Sequence, residues 1–334
     1  CSQRAMRICI VGSGVIGCIY GYVFAESGHD VTHYVLHGHG ATLRHGIDLN
    51  LLDARRLDLA RVHANYSPRI VEALDPAHSF DLILASVRHY QLPALLPVLA
   101  RDAGDATILF FNNLWTSFEP VDAALRGRYV WGFPAAGGGF EHERLSGALL
   151  GDVRLGEPTH DSLARFGRLE RMFLECGLSI DLHDDMLDWL WTHFAVEAGV
   201  MGGVIRVGGA TKFLKDASAL APAARMVRDA LAVVRARGVE LSLVADVQRF
   251  LGPEMLIGQS IEALYATDRA ARTILEHQRR GDDMVRIFRD VLDTGRALSV
   301  NMPSLMALEP AVQRFEWGSR RPSGTALRHL HGRV

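Results

Sequence analysis

The sequence predicts an α/β protein, a doubly wound parallel sheet followed by an all-helical C-terminal domain, and three observations carry that expectation. Short apolar runs alternate with helix-length segments through the first half, as in a sheet covered by helices on both faces. The glycine-rich stretch GSGVIG at 12–17 directly follows the first of those runs. Beyond residue 182 every periodic segment has helical length and no strand pattern intervenes, so the expected domains are 1–182 and 183–334. A cleft between two such domains is the default place for a ligand.

Residues 1–5 read as a short leader before Met6. Residues 7–11, RICIV, have the uninterrupted apolar profile of a strand buried on both faces. A helix over 15–27 is stopped by Gly28, and 30–35 is the second strand. Residues 46–59 alternate apolar with polar and predict an additional hairpin. Residues 81–87 and 106–111 are further buried strands with a helix near 91–100 between them. The glycine-rich span 129–157 reads as strands with loose connections, Gly137–Gly139 forming either a hairpin turn or a flank of the cleft. Helices follow over 186–201, 218–237, 241–251, 257–278 and 282–298, punctuated by Gly238 and by Gly252-Pro253.

Composition excludes several classes of function. The 334 residues carry a formal net charge of −2, so no basic excess exists to meet a nucleic-acid backbone or an anionic membrane. Four scattered cysteines form no CxxC pair, which disfavours a disulfide scaffold or a structural metal site and suits a reducing cytoplasm. No apolar stretch is long enough to span a membrane. Only two lysines, Lys212 and Lys215, are present, both in what reads as an exposed connection.

The glycine stretch is the informative motif. Gly12, Gly14 and Gly17 in GxGxxG, between a strand and a helix, match a dinucleotide-binding loop of the Rossmann type. The first glycine makes the tight turn, the second admits a pyrophosphate, and the third lets helix and strand approach closely. Ser13, Val15 and Ile16 complete the loop, whose helix N-terminus attracts the anion. An NAD site usually ends its second strand with an acid, whereas an NADP site offers cationic groups. Here that place reads VLHGH at 35–39; with no acid, NADP is favoured over NAD, and His37, His39 and Arg44 are the candidates to face a 2′-phosphate.

The order of these motifs resembles the ketopantoate reductase (2-dehydropantoate 2-reductase) family. The stations are GSGVIG at 12–17, DLILASVRHYQ at 81–91, FFNN at 110–113, DWLWTHFAVEAG at 188–199 and ALSVNMP at 297–303. The resemblance implies hydride transfer from NADPH to a small 2-oxo acid, giving a 2-hydroxy acid in pantothenate biosynthesis, by a cytoplasmic oxidoreductase acting on CH-OH donors. It also implies that Arg88 stands near the cofactor and that Asn113 contacts the nicotinamide region and the substrate. The family's catalytic lysine is replaced by His193, its two asparagines by Glu197 and Met201, its substrate-binding glutamate by Asp283, and a serine by Ala271.

His193 and Glu197 are four residues apart and share a helix face. An imidazolium suits a proton donor that recycles near neutral pH, and a neighbouring carboxylate would orient it and favour its charged form. His193 and Glu197 are thus the candidate catalytic pair, with Asn113 and Asp283 joining them in binding substrate. A dehydrogenase for a different 2-oxo or amino-linked acid is the enzymatic alternative, and a catalytically inactive NADP(H)-binding redox sensor the other. The partner expected is a small 2-oxo acid; a homodimer is compatible with the sequence, and no metal, nucleic acid or membrane is called for.

Overall fold

The computed structural model describes residues 5–36, 41–55, 58–278 and 281–319. The chain opens with β1 (Arg7–Val11), α1 (Val15–Glu26) and β2 (Asp30–Tyr34), then α2 (Ala41–Arg44), β3 (Ile47–Asp53), β4 (Ala60–Tyr66) and β5 (Arg69–Val71). It continues through β6 (Leu82–Ala85), α3 (Leu92–Asp102), β7 (Thr107–Phe111), α4 (Glu119–Leu125) and β8 (Tyr129–Phe133). Next come β9 (Ala136–Glu141), β10 (Arg144–Leu149), β11 (Asp152–Gly156), α5 (Leu163–Glu175) and β12 (Ser179–His183). The remainder is helical: α6 (Met186–Val207), α7 (Ala210–Phe213), α8 (Leu220–Ala236), α9 (Glu254–Thr267), α10 (Arg269–His277), α11 (Gly281–Ala297) and α12 (Pro303–Ser319).

Eight strands form one mixed sheet in the order β12-β11-β8-β7-β6-β1-β2-β5. Its strands pair in parallel except β8 with β11. The apolar run of β1 is central, with Ile8, Cys9 and Ile10 fully buried, as a strand covered on both faces requires. On one face α1 contributes Tyr20, Val23 and Phe24, and Phe24 meets Phe173 of α5 at 6.1 Å between ring centres. The doubly wound sheet and the helical region after it are both as the sequence predicts.

A second sheet has the order β4-β3-β10-β9. The hairpin expected over 46–59 is present but runs further, pairing Ile47 with Tyr66 through to Asp53 with Ala60. Gly137–Gly139 lie inside β9, paired with β10, and form neither a turn nor a loop.

Packing divides the chain into two compact units, Cys1–Trp191 with Asp268–Arg279 and Thr192–Thr267 with Arg280–Val334. The expected division at 182/183 lies at the end of β12, whereas the first unit continues into α6. Two tryptophans explain the extension. Trp189 lies 5.1 Å from the ring of Phe133 and beneath the Arg154 guanidinium, and Trp191 Nε1 donates to Thr116 O at 3.0 Å.

The first unit also reclaims α10. The helix expected over 257–278 breaks at Asp268, whose backbone is extended and whose Oδ1 accepts from Ala270 N and Ala271 N, both at 2.9 Å. That cap starts a new helix, which packs Ala270 with Leu52 and Ala148 on the second sheet. The segment 241–251, expected as one helix, is two 3-10 pieces; Gln248 Nε2 takes up the carbonyls of Leu241, Ser242 and Val244 that an α-helix would have used. In the second unit α12 lies beyond the last helix that the periodicity predicts. Asp229 of α8 caps it, Oδ2 accepting from Ser304 N at 2.6 Å and Leu305 N at 3.1 Å.

One residue ties together three elements of the first unit. Arg55 binds Asp53 through both Nε (3.0 Å) and Nη2 (2.7 Å), Glu26 of α1 at 3.0 Å and the Cys176 carbonyl after α5 at 2.8 Å. Asp53 is only 3% exposed, so removing the guanidinium strands a buried carboxylate. Arg55→Met is expected to cost about 3–5 kcal/mol, read as a lower urea midpoint, with Asp53→Asn on the same chain recovering part of it. An unchanged midpoint in the single variant would remove Arg55 from this role.

Candidate active site

The strand order reverses at β1: β2 lies on one side of it and β6, later in the chain, on the other. The crevice beyond the carboxyl ends of strands at such a reversal is where open α/β sheets bind ligands. Three groups of expected residues stand at that edge. Gly12–Gly17 directly follow β1, Arg88 comes three residues after β6, and Asn113 two residues after β7.

The loop has the properties its glycines predict. Gly12 has φ +104°, a conformation costly to any side chain. A Cβ on Gly17 would lie 2.9 Å from Ile10 Cγ2 and 3.0 Å from Ser86 Oγ, so this position is where α1 rests on the strands. A Cβ on Gly14 would meet nothing within 4 Å, which leaves open space over the loop. Gly14 is also the N-cap of α1, without a side-chain cap. The first-turn N–H groups of Val15, Ile16 and Gly17 therefore face that space with no intrahelical acceptor, and the helix dipole adds positive potential. These residues fit an anionic dinucleotide; Ser13 lies between the two glycines and accepts, through its carbonyl, from Cys18 Sγ at 3.6 Å.

Around the loop, Ser86 Oγ donates to Val11 O at 3.4 Å and links β6 to β1. Arg88 is half-buried, with its guanidinium 5.7 Å from the centre of the Tyr90 ring and bonded to the Tyr90 hydroxyl; its backbone N donates to Gln91 Oε1 at 3.0 Å. Of the two asparagines ending β7, Asn112 is 1% exposed; its Nδ2 donates to Val87 O and its carbonyl accepts from Trp131 Nε1. Asn112 holds strand ends together, and Asn113 is half-buried beside it.

The chain after β2 is described only in part. His37 and His39 lie outside the described residues. The described part of the second strand's exit ends with Leu36, 64% exposed, and carries no acid. Arg44 is present in α2 but binds Glu72, just beyond β5, at 2.6 Å. The strand order puts β5 beside β2, and α2 packs against β5, which brings residue 72 to residue 44.

In the second unit, His193 and Glu197 are both half-buried on α6, one turn apart. Their face closes at Met201, 4% exposed and part of the core. Tyr265 of α9, not singled out from the sequence, senses the Glu197 charge; burial and then that carboxylate raise its phenol pKa, so it stays protonated. Asp283 is half-buried in the first turn of α11. Lys212 and Lys215 are exposed as expected. A groove of about 470 Å³ in this unit, lined by Arg225, Arg228, Arg235 and Asp229, contains none of the expected residues.

Residues 8–157 match the family described as ketopantoate reductase PanE/ApbA. No curated protein matches the chain by sequence. Among solved structures, a D-mandelate dehydrogenase with NADH and anilino(oxo)acetate is similar over 94% of this chain and 99% of its own, at 18% identity and TM-score 0.67. A 2-dehydropantoate 2-reductase from Geobacter metallireducens is similar over 92% and 99%, at 18% identity and TM-score 0.63. A ketopantoate reductase from Staphylococcus aureus, described as dimeric, is similar over 92% and 99%, at 14% identity and TM-score 0.58. These likenesses show a shared fold. The matched segment contains the glycine loop, Arg88 and Asn113, whereas His193, Glu197 and Asp283 lie outside it.

Proposed function

We propose that the protein is a nicotinamide-dinucleotide-dependent reductase of a small 2-oxo acid, producing the 2-hydroxy acid. The observation that carries this reading is the loop at 12–17: space over Gly14, an uncapped α1 and a reversal of strand order coincide in a segment that matches the ketopantoate reductase family. The similar structures named above are, by description, a D-mandelate dehydrogenase with NADH and ketopantoate reductases, which supports a 2-oxo acid as the substrate class.

In this reading the dihydronicotinamide, when bound, supplies hydride to the carbonyl carbon. The N–H groups of Ser13 to Gly17 hold the pyrophosphate, while Arg88 and Asn113 hold the dinucleotide and orient the carbonyl. His193 gives its proton to the carbonyl oxygen, so that charge does not build up there. Glu197 fixes the imidazole and favours its protonated form, and Asp283 receives a polar substituent of the substrate. A homodimer belongs to the proposal, supported by the dimeric description of the Staphylococcus aureus structure.

NADPH is the proposed donor and a ketopantoate-like acid the proposed substrate. The support for NADPH is the missing acid at the exit of β2 together with Arg44, held by Glu72 until a 2′-phosphate competes for it. Arg44→Ala should weaken NADPH by about tenfold, near 1.4 kcal/mol, and leave NADH within about twofold. Glu72→Gln should shift the preference further towards NADPH. Equal effects on both dinucleotides would show that the pair does not read the ribose. The reading as a whole is tested by monitoring reduced-nicotinamide absorbance with a panel of 2-oxo acids: oxidation with at least one supports it, and binding without oxidation across the panel would leave a sensor instead.

A further inference from the structure

The second strand carries a histidine that the proposed chemistry does not use. His33 is fully buried, and its ring bridges two elements. Nδ1 lies 2.7 Å from the carbonyl oxygen of Gly12, and Nε2 lies 2.9 Å from the Tyr66 hydroxyl at the end of β4. A carbonyl only accepts, so the Nδ1 nitrogen carries the hydrogen and donates. Nε2 of the neutral ring then accepts, and the Tyr66 hydroxyl donates to it. Both ring nitrogens are thereby committed, and the tautomer is fixed by the partners. Burial pushes the His33 pKa down to about 4, which keeps the ring neutral near pH 7. Burial likewise keeps the Tyr66 phenol protonated. The arrangement is also accommodated by α1, where a Cβ on Gly21 would overlap the Tyr66 hydroxyl and come 2.8 Å from His33 Nε2.

The contact matters because of the atom it holds. Gly12 C=O and Ser13 N–H belong to one planar trans peptide and point in opposite directions. Drawing the carbonyl towards a fully buried imidazole turns the Ser13 N–H away from the core, to the side where the loop is open. Gly12 N donates to Tyr34 O at 2.9 Å, so the preceding peptide is held as well.

We infer that His33, oriented by Tyr66, is a positioning residue that presets the Ser13 N–H as a donor to the dinucleotide pyrophosphate. This rests on the glycine loop binding a dinucleotide, as proposed above. Preorganised donors bind an anion without the cost of ordering them first, so losing the anchor weakens binding although no ligand contact is removed. The ordinary alternative is that His33 merely satisfies buried polar groups and contributes to stability alone.

The test compares three variants by titrating reduced dinucleotide against the protein by fluorescence and by recording unfolding midpoints. His33→Asn places a carboxamide nitrogen where Nδ1 stands and keeps the donor to Gly12, while His33→Leu removes it and Tyr66→Phe removes only the orienting hydroxyl. Expected are a dissociation constant about tenfold weaker for His33→Leu and within about threefold of the parent for His33→Asn, at comparable losses of midpoint. Tyr66→Phe should fall between them. Equal weakening in the Leu and Asn variants, or none in either, would overturn the inference.

A second readout stands apart from binding: ¹H–¹⁵N spectra of the parent protein should show His33 as the Nδ1–H tautomer, and an Nε2–H tautomer would overturn the positioning role even if His33→Leu fails to fold. Failure of the parent itself to bind dinucleotide would instead overturn the proposed function, a result distinct from unequal behaviour among the variants.

Discussion

His193→Ala should lower turnover by about 10²–10⁴-fold, the range removed with a general acid, while the dissociation constant of the reduced dinucleotide stays within about twofold. The split follows from where the residue stands. The loop that is proposed to hold the dinucleotide lies in Cys1–Trp191, and His193 lies in Thr192–Thr267. An imidazole that protonates the oxygen is needed only as hydride reaches carbon, so its loss appears in turnover and not in cofactor binding. His193→Lys should recover part of the rate, because an ammonium can also polarise and protonate a carbonyl. Glu197→Gln should cost less, since in the proposed arrangement the ring remains and loses only its orienting charge. Stopped-flow single turnovers with a saturating 2-oxo acid measure the step directly. A His193→Ala enzyme with unchanged single-turnover rate would remove His193 from the chemistry.

Two glycines of one motif should fail in opposite ways. Gly14→Val is expected to weaken reduced dinucleotide by at least about a hundredfold, near 2.7 kcal/mol, with little change in unfolding midpoint. Its backbone is ordinary, φ −77° and ψ 178°, and the added side chain meets no protein atom within 4 Å at its Cβ. The space it fills is the one proposed for the pyrophosphate. Gly17→Ala should instead lower the midpoint, by about 1–3 kcal/mol of overpacking, because Ile10 and Ser86 already occupy the place of its Cβ. Calorimetric titration beside thermal melts separates the two effects. Loss of stability in Gly14→Val without loss of binding would mean that the open space is not the ligand's.

The parts of this fold that were legible in the sequence are those written in local pattern. RICIV followed by GSGVIG specifies a buried strand, a turn and a helix within 20 residues, because glycine geometry and apolar runs act over that range. The i, i+4 spacing of His193 and Glu197 is equally local. What escaped was non-local or hidden in a cap. Asp268 restarts a helix, and the periodicity on either side of it reads as one continuous segment; only its bonds to Ala270 N and Ala271 N reveal the break. Arg55, Glu72 and the His33–Tyr66 pair depend on strand order and on partners 28 to 121 residues distant in the chain. No motif of charge or spacing marks such contacts, since the packing of strands and helices distant in the chain creates them.

The most direct measurement follows the hydride. Reduced nicotinamide dinucleotide deuterated at C4 is incubated with the protein and each of a set of 2-oxo acids, ketopantoate and the oxo acid of mandelate among them, and the products are read by mass and NMR spectroscopy. Deuterium at C2 of one 2-hydroxy acid, from one face of the nicotinamide only, is the predicted result. A dinucleotide that binds with micromolar affinity yet passes no label to any acid, or one that does not bind at all, would contradict it.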